Sequence, residues 1–381
     1  MSEIRDLINK METINKVIVE GKSHLDHPED LVFLHDEQGA RRALSAIAAT
    51  VENPQSITIK WDGYPAVVFG RGPDGKFSIM DKHMFNKKDG SGRNVYSPEQ
   101  FAQYDAGRGV DRSDLHEVIA RIWPGLEKDD RAGNGYYWGD LLFSHPLENH
   151  NGEYRFKANP NGTSYSVDVD SEVGKLLQGK DAAIAVHQYI PADASSTEEA
   201  VSLDGTIGNL QNASNVAIVP SKLPMTPKLK LNASLMKLAE KELAQYGSAV
   251  RELMTTAPQA RNTFNQLFTV FVNKKIMSGS LTNLARDFMD FVESRPMSEK
   301  MKAKISEHLN QHKQGIIGAF KIWAAIYNLK LDVVNQLNKA AESSPVRGHL
   351  ADGKQTQEGF VAQGLKFVDR LGFSRQNFAG R

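Results

Sequence analysis

The chain has 381 residues, of which 40% are hydrophobic and 24% charged, and its formal net charge at pH 7 is zero. This is an ordinary globular composition, and the length suffices for two domains or for one domain with a large insertion. The absence of cysteine excludes disulfides, thiolate catalysis and cysteine-based zinc sites, and it favours a reducing compartment. The sequence has no apolar run of about 18 residues and does not begin like a signal peptide. We therefore expect a cytoplasmic protein with no membrane partner.

Charge is distributed unevenly along the chain. Residues 1–227 contain 23 Lys and Arg against 33 Asp and Glu, whereas residues 228–345 contain 17 against 10. Residues 346–381 contain 6 against 3. A polyanion is attracted to the basic part of a protein. We therefore expect any nucleic acid, RNA or DNA, to bind mainly through residues 228–345.

The first 51 residues predict two helices separated by a polar stretch. Residues 1–20 and 37–51 both have apolar residues at helical spacing. Residues 23–30 contain two histidines and three carboxylates, which is a possible metal-binding composition. The favoured interpretation is a polar loop in which Ser23 or Asp26 caps the following helix.

The stretch from Ile57 to Gly70 predicts a strand, a turn and a second strand. Residues 56–59 and 65–69 have strand-like patterns, and Asp62-Gly63 supplies the turn. Lys60 ends the first strand in the pattern Lys-x-Asp-Gly. The same pattern recurs at Lys87–Gly90, but that copy lies in a polar, glycine-rich run with no strand before it. We interpret the second copy as a solvated loop.

The rest of the chain predicts a mixed fold. Strands are expected at 76–80, 136–143, 153–158, 163–169, 182–190, 216–220, 357–361 and 364–370, and helices at 98–106, 114–122 and 170–177. Five amphipathic helices are expected at 231–245, 259–277, 281–294, 298–311 and 315–342. The fold class is therefore α+β, with an all-α module over residues 228–345.

The Lys60 motif resembles the active-site motif of the covalent nucleotidyltransferases, which are DNA ligases, RNA ligases and mRNA capping enzymes. In that superfamily the lysine amine attacks the α-phosphate of a nucleotide and carries the nucleotide as a phosphoramide. The resemblance implies that Lys60 is the nucleophile and that Asp62 and Gly63 shape its turn at the nucleotide. It also implies a ligase-type domain of antiparallel sheets with flanking helices, covering residues 1–227 and 346–381 around the helical insertion.

Three further residues, all within the segment 1–227, match nucleotide-binding positions of the superfamily. Lys82 stands at the end of the second hairpin strand, where a basic residue lies near the phosphates. Asp140, in Gly139-Asp140 after an aromatic strand, stands where the third motif normally has glutamate. His187, or less favourably Tyr189, stands where an aromatic residue stacks on adenine. The alternative for each of them is a purely structural role, in which the protein itself satisfies the hydrogen bonds of the side chain.

The superfamily's late motifs resemble the C-terminal sequence. Glu358-Gly359 is followed by apolar residues, and Lys366 lies in the next strand. The resemblance implies that Glu358, with Asp140 second, binds Mg²⁺ and that Lys366 contacts the α-phosphate. An amine nucleophile must be neutral, and the developing phosphate charge needs lysines and Mg²⁺ nearby.

Three positions depart from the superfamily's pattern. Pro65 stands where the superfamily often has an arginine, and Arg71 is available to make the contact of that arginine. Asp140 replaces a glutamate. Gly364 replaces the first lysine of a Lys-x-Lys pair. A rival alignment takes Lys228–Lys230 as the lysine strand, but no Glu-Gly pair precedes it.

The expected activity is that of an ATP-dependent polynucleotide ligase or adenylyltransferase that uses ATP and Mg²⁺. The short tail after Lys366 leads us to expect no following OB-fold, which slightly favours RNA ligase. Two alternatives stay open: a non-catalytic structural or nucleic-acid-binding protein of the same fold, and transfer of the nucleotide to a protein or small molecule. The whole chain is also similar to uncharacterised proteins of large tailed bacteriophages, which makes a role in nucleic acid repair plausible.

Overall fold

The computed structural model describes residues 25–109, 111–129, 134–159, 163–201, 203, 215–257, 261–349 and 359–372. The helix predicted for residues 1–20 lies outside these ranges. Ser23, His24 and the predicted metal ligand Glu358 also lie outside them.

The described chain divides into two compact units. The first, here called the β unit, is formed by Thr58–Met225 and Ala341–Glu358; the second, here called the helical unit, is formed by Leu25–Ile57, Thr226–Ala340 and Gly359–Arg381. The middle segment of the helical unit nearly coincides with the predicted insertion. The structure differs from the prediction for Leu25–Ile57 and for the segment from Gly359 onward. Both belong to the helical unit, whereas the prediction assigned them to the catalytic domain. The reason is packing, since the amphipathic helix after residue 30 packs on helices of that unit, a partner that helical periodicity alone does not reveal.

The main sheet of the β unit has five strands in the order β3-β2-β4-β8-β9. These strands are β2 (Ala66–Arg71), β3 (Phe77–Asp81), β4 (Gly135–Phe143), β8 (Ala182–Ile190) and β9 (Val216–Pro220). The pairs among β3, β2, β4 and β8 are antiparallel, but β8 and β9 are parallel. The expectation of antiparallel sheets is therefore wrong for β9. The connection between β8 and β9 runs from residue 191 to 215, long enough for the crossover that a parallel pair requires.

Helices cover this sheet and complete its core. They are α2 (Lys82–Phe85), α3 (Pro98–Ala106), α4 (Ser113–Asp129) and α5 (Glu172–Leu177). Ser97 caps α3 by accepting a hydrogen bond from the Gln100 N–H, and Pro98 occupies its first position, as the sequence predicts. Ile119 and Ile122 of α4 are buried in one apolar cluster with Val68. The sheet is thus a rigid base for the residues at its strand ends.

A second sheet in the β unit has the order β10-β7-β6-β5. Its strands are β5 (Asn149–His150), β6 (Glu153–Lys157), β7 (Ser164–Asp168) and β10 (Val346–His349). The β6–β7 hairpin lies where it was predicted. β10 pairs antiparallel with β7 after the long helical segment. The chain therefore leaves the β unit after Met225 and returns to it at Ala341, shortly before β10. β1 (Thr58–Ile59) is a short strand of the same unit.

Among its described residues, the helical unit contains six long helices and a C-terminal hairpin. They are α1 (Leu31–Glu52), α6 (Ala233–Thr255), α7 (Arg261–Met277), α8 (Leu284–Ser294), α9 (Glu299–Gln311) and α10 (Lys313–Ala341), followed by β11 (Phe360–Ala362) and β12 (Leu365–Phe367). Phenylalanine rings form its core: Phe268 and Phe288 stack with centroids 4.2 Å apart, and Phe320 packs 5.6 Å from Phe268. These aromatic residues are core residues, as predicted from their helical spacing.

The structure tests two local interpretations of the sequence. Lys87–Gly90 is a turn after α2, with an ion pair of 3.5 Å between Lys87 and Asp89, so its interpretation as a loop is confirmed. Lys228–Lys230 is not in a strand, so the rival lysine strand is not formed there. Within the described ranges, no helix combines the length and apolar character needed to cross a membrane.

Candidate functional site

Residues 60–65, here called the Lys60 loop, connect β1 to β2. Asp62 holds this loop in place. One carboxylate oxygen of Asp62 accepts a hydrogen bond from Asn159 Nδ2 (3.0 Å) and the other from the Thr163 N–H (3.1 Å). The Asp62 N–H donates to the hydroxyl of Tyr165 at 2.7 Å. Asp62 therefore ties the loop to the β6–β7 hairpin. Both of its oxygens serve the structure of the turn.

Gly63 brings this loop directly against Asp140. A Cβ at Gly63 would lie 2.6 Å from the Cβ of Asp140 and 2.7 Å from the Leu141 carbonyl oxygen, distances that no side chain tolerates. The Tyr64 N–H donates to the Leu141 carbonyl at 2.9 Å, and the Leu141 N–H donates to the Pro65 carbonyl at 3.0 Å. Only glycine permits this approach, which places the Lys-x-Asp-Gly turn beside the Asp140 carboxylate.

Lys82 lies beside the same carboxylate. It is the first residue of α2, and its Nζ lies 4.8 Å from the ring centroid of Trp138. Partial burial lowers the pKa of Lys82, against the negative charges of Asp140 and Glu198, which act to raise it. A half-buried ammonium over an aromatic face and near a carboxylate is a suitable partner for a phosphate.

His187 lies on β8, the strand beside β4. Together with Asp140, Lys82 and Trp138 it forms a group here called the β-unit cluster. Trp138 pairs with Gln188 and Gly139 pairs with Val186, so His187 is the extra residue of a β-bulge. Its Nε2 lies 3.6 Å from Asp140 Oδ2, and its ring centroid lies 5.1 Å from that of Trp138. Bulges often re-aim a side chain at the edge of a site, and this one directs His187 to Asp140.

Tyr189, the less favoured candidate for base stacking, has a different environment. Its hydroxyl donates to the Asn134 carbonyl at 2.8 Å, and its ring packs 5.6 Å from Tyr137. The preference for His187 over Tyr189 as the base-stacking residue stays a prediction.

Arg71 lies at the far end of β2 from the Lys60 loop. Ala66 pairs with Asp140, whereas Arg71 pairs with Gly135, five residues along the strand, and five residues of strand span about 16 Å. The guanidinium donates to the carbonyls of Gly75 (3.1 Å) and Glu127 (2.9 Å). The suggestion that Arg71 replaces the arginine missing at Pro65 is therefore wrong.

The two remaining site residues predicted from the sequence are Glu358 and Lys366. Lys366 lies in β12 of the helical unit, where it pairs with Val361 and its N–H donates to the Asp26 carbonyl at 2.9 Å. Glu358 lies outside the described residues. Their predicted roles rest on the resemblance alone.

No group of three or more metal-ligating side chains is found in the described part of the chain. Asp140 is a single carboxylate with Lys82 and His187 beside it. This arrangement fits an Mg²⁺ ion held mainly by phosphate oxygens and water, which is how Mg²⁺ commonly binds, and it does not fit a site made of protein ligands alone. Asp140 would be the one described residue to hold the ion.

The acidic and histidine-rich stretch near the N-terminus has a different role from the one predicted. Glu29 and Asp30 are buried, where Glu29 pairs with Lys330 and Asp30 with Arg370. The interpretation as a polar loop is wrong for these two residues, and Asp30, rather than Ser23 or Asp26, directly precedes α1. The carboxylates are neutralised by side chains about 300 residues away, which local composition cannot reveal.

Sequence reasoning missed several residues in and around the β-unit cluster. The sequence predicts a strand at Trp138 and indicates no site role for Asn159 or Glu198. The motif at Lys60 gives no signal for Asn159 or Tyr165, since about 100 residues separate them. An alternating aromatic strand that ends in Gly-Asp was the available signal for Trp138, which is two residues before Asp140 and so lies on the same face.

The fold defined by these observations is a mixed α/β protein with a polar cluster on the inner strands β4 and β8 of its main sheet. A family model matches residues 22–381, and the chain belongs to that family, DUF6267, a family of unknown function. No curated protein and no solved structure matches the chain.

Proposed function

We propose that the β unit catalyses covalent nucleotidyl transfer through Lys60, as the first step of an ATP-dependent polynucleotide ligase or adenylyltransferase. One observation carries the proposal. Gly63 lies against Asp140, so the loop that bears Lys60 lies beside the carboxylate that Lys82 and His187 also approach. A nucleophile on a loop beside a carboxylate and a cation provides the groups this chemistry needs.

The reaction proposed at Lys60 is a substitution at phosphorus. The neutral amine attacks the α-phosphorus of ATP, a P–N bond forms, and the bond from that phosphorus to the bridging oxygen breaks. Pyrophosphate leaves with the electron pair, and the amine proton passes to solvent. Lys82 would bind the phosphate oxygens as their negative charge shifts, because an ammonium forms strong charge-assisted hydrogen bonds to them. Mg²⁺ at Asp140 would supply further charge neutralisation.

The acceptor of the nucleotide is proposed to be a nucleic acid end, of RNA or of DNA. The helical unit supplies exposed cations for such a partner. They include Lys237, Lys241, Lys274, Lys300 and Lys304. Phosphate contacts of this kind weaken steeply with salt. RNA binding that loses affinity as salt rises, and that weakens when these lysines are replaced by glutamine, would support this role.

A second candidate function is nucleic acid binding without catalysis. It is favoured by the arrangement around Asp62 and Asp140. Both oxygens of Asp62 are used by Asn159 and Thr163, and Asp140 already has a histidine and a lysine beside it. A polar cluster with these contacts is stable without any nucleotide, so it is also compatible with a purely structural role.

Nucleotide labelling distinguishes the two candidates. The protein is incubated with α-³²P-labelled ATP, and in parallel with GTP, in the presence of Mg²⁺, and is then separated on a denaturing gel. The proposal expects label on the wild type and on Lys87→Ala but none on Lys60→Ala. Lys87 is the matched control because it begins the second Lys-x-Asp-Gly copy. Absence of label with every nucleotide and metal would favour the binding protein. A labelled protein would next be offered RNA, DNA and protein acceptors.

A further inference from the structure

Lys82 owes its position to the residue before it. Asp81 ends β3, and its Oδ1 accepts a hydrogen bond from the Met84 N–H at 2.8 Å, which caps the short helix α2. Lys82 is the first residue of that helix. The capping bond therefore fixes the backbone from which the Lys82 side chain reaches the face of Trp138.

Two arginines hold the Asp81 side chain from behind. Arg108 and Arg112 both donate from Nη1 to Asp81 Oδ2, with a distance of 2.9 Å for Arg112. The same two nitrogens donate to Asp105 Oδ1 at 3.0 and 2.7 Å. Asp105 has no exposed surface, and its second oxygen contacts His116 Nε2 at 2.9 Å. Two buried carboxylates and two guanidiniums thus form one network between β3, α3 and α4.

A helix cap alone does not require this network. Ser, Thr, Asn or Asp can each accept the capping hydrogen bond, and an unpaired buried carboxylate is costly. Burial acts to raise the pKa of Asp81, but the Met84 amide, Arg112 and Arg108 outweigh burial and lower it. Asp81 therefore stays ionised, and its two arginines restrict it to the rotamer that caps α2.

The carboxylate acts on Lys82 through the backbone. The negative charges that act on the Lys82 ammonium are those of Asp140 and Glu198. We propose that Asp81 is a positioning residue, locked by Arg108 and Arg112, that holds Lys82 over Trp138 and beside Asp140. The proposal rests on the proposed function for the task of Lys82, which is to bind nucleotide phosphate, but the positioning itself can be measured without nucleotide.

The test follows Lys82 directly by NMR. Lysines of the full chain are ¹³C-methylated, and the Lys82 signal is assigned by its loss in Lys82→Arg. In the wild type we expect an upfield ring-current shift from Trp138 and titration at a lower pH than for exposed lysines. Asp81→Asn keeps an acceptor for the Met84 N–H but removes the charge that holds both arginines. We expect its Lys82 signal to move toward the exposed-lysine position.

Asp89→Asn is the matched control. Asp89 is an exposed carboxylate nearby in the chain, and it accepts a hydrogen bond from the Ser91 N–H at 3.0 Å without contacting either arginine. It should leave the Lys82 signal unchanged. If Asp81→Asn does not fold, Arg108→Gln replaces it, since that variant keeps the capping bond and Arg112. An unchanged Lys82 shift and titration in the folded Asp81 or Arg108 variant would overturn the proposal.

The readouts separate this inference from the proposed function. A displaced Lys82 signal in Asp81→Asn supports the positioning role even if ATP does not label the wild type. That result would contradict only the proposed nucleotidyl transfer. Where the wild type is labelled, we expect Asp81→Asn to lower kcat/KM for ATP about tenfold, the effect of one charge-assisted hydrogen bond. A loss of kcat with unchanged KM and an unchanged Lys82 signal would contradict the positioning role.

Discussion

Lys330 and Glu29 form a 2.7 Å ion pair in the interior of the helical unit, and both side chains have no exposed surface. Arg370 extends this pair to Asp30 at 2.9 Å and to Glu29 at 3.1 Å. The Trp323 Nε1–H also donates to Asp30 at 2.9 Å. The network therefore joins three segments of the unit, around residue 30, within α10 and after β12, that are far apart in the chain.

Breaking the pair is expected to destabilise the helical unit. Lys330→Met leaves the Glu29 carboxylate buried with one fewer cation, and removing one partner of a buried pair typically costs about 3–5 kcal/mol. We expect urea denaturation to show a loss of that size. Lys321→Met is the control on the same helix, since its ammonium is half exposed and lies 3.9 Å from Glu242. A loss in Lys330→Met no larger than in Lys321→Met would contradict the account of the network.

Stability is expected to fall as the pH is lowered through the histidine range. Burial lowers the pKa of His27 well below 6.5, against the charge of Glu29. The unfolded chain therefore takes up a proton that the folded protein does not, and each such group lowers stability by up to about 1.4 kcal/mol per pH unit below the unfolded pKa. Burial also lowers the pKa of His308 and His349.

The contribution of His27 is isolated by substitution. The free energy of unfolding of His27→Gln should fall less than that of the wild type between pH 7 and pH 5. His83→Gln, at an exposed position of α2, serves as the control and should keep the wild-type dependence. Equal pH dependence in wild type and His27→Gln would show that His27 is not buried in its neutral form.

Gly63→Ala is expected to displace the Lys60 loop. The added methyl group would meet the Cβ of Asp140 and the backbone of β4, and overpacking of this kind costs about 1–3 kcal/mol. We expect lower stability in thermal unfolding and loss of nucleotide labelling. Gly107→Ala is the matched control, because a Cβ there would lie 3.5 Å from the Tyr104 carbonyl, an ordinary contact. A fully labelled and equally stable Gly63→Ala would refute the close approach.

Asp62→Asn is expected to loosen the same loop from the β6–β7 hairpin. An amide cannot accept hydrogen bonds at both positions, so either the Asn159 amide or the Thr163 N–H loses its acceptor. An unsatisfied buried donor costs about 1–3 kcal/mol. Asp74→Asn, which removes an exposed carboxylate that accepts from the Lys76 N–H, should change the free energy of unfolding much less. Similar losses in the two variants would argue against an anchoring role for Asp62.

Local patterns in the sequence predicted most of the elements but few of their partners. The strand around the Gly-Asp pair and the helices after residue 230 follow from periodicity and turn residues, which are local properties. The contact of Asp62 with Asn159 spans 97 residues, and that of Glu29 with Lys330 spans 301. Such contacts depend on how the units fold, so residues 23–30 resembled a polar loop although two of their carboxylates lie in a core.

Lys60 is the residue proposed to carry the nucleotide. Peptide mass spectrometry of the full chain after incubation with ATP and Mg²⁺, under conditions that preserve phosphoramides, would locate any adduct. We predict one AMP on the peptide that contains Lys60 and none on the peptides that contain Lys87 or Lys366. An adduct on another residue, or no adduct when bound ATP is detected in parallel, would contradict the central claim.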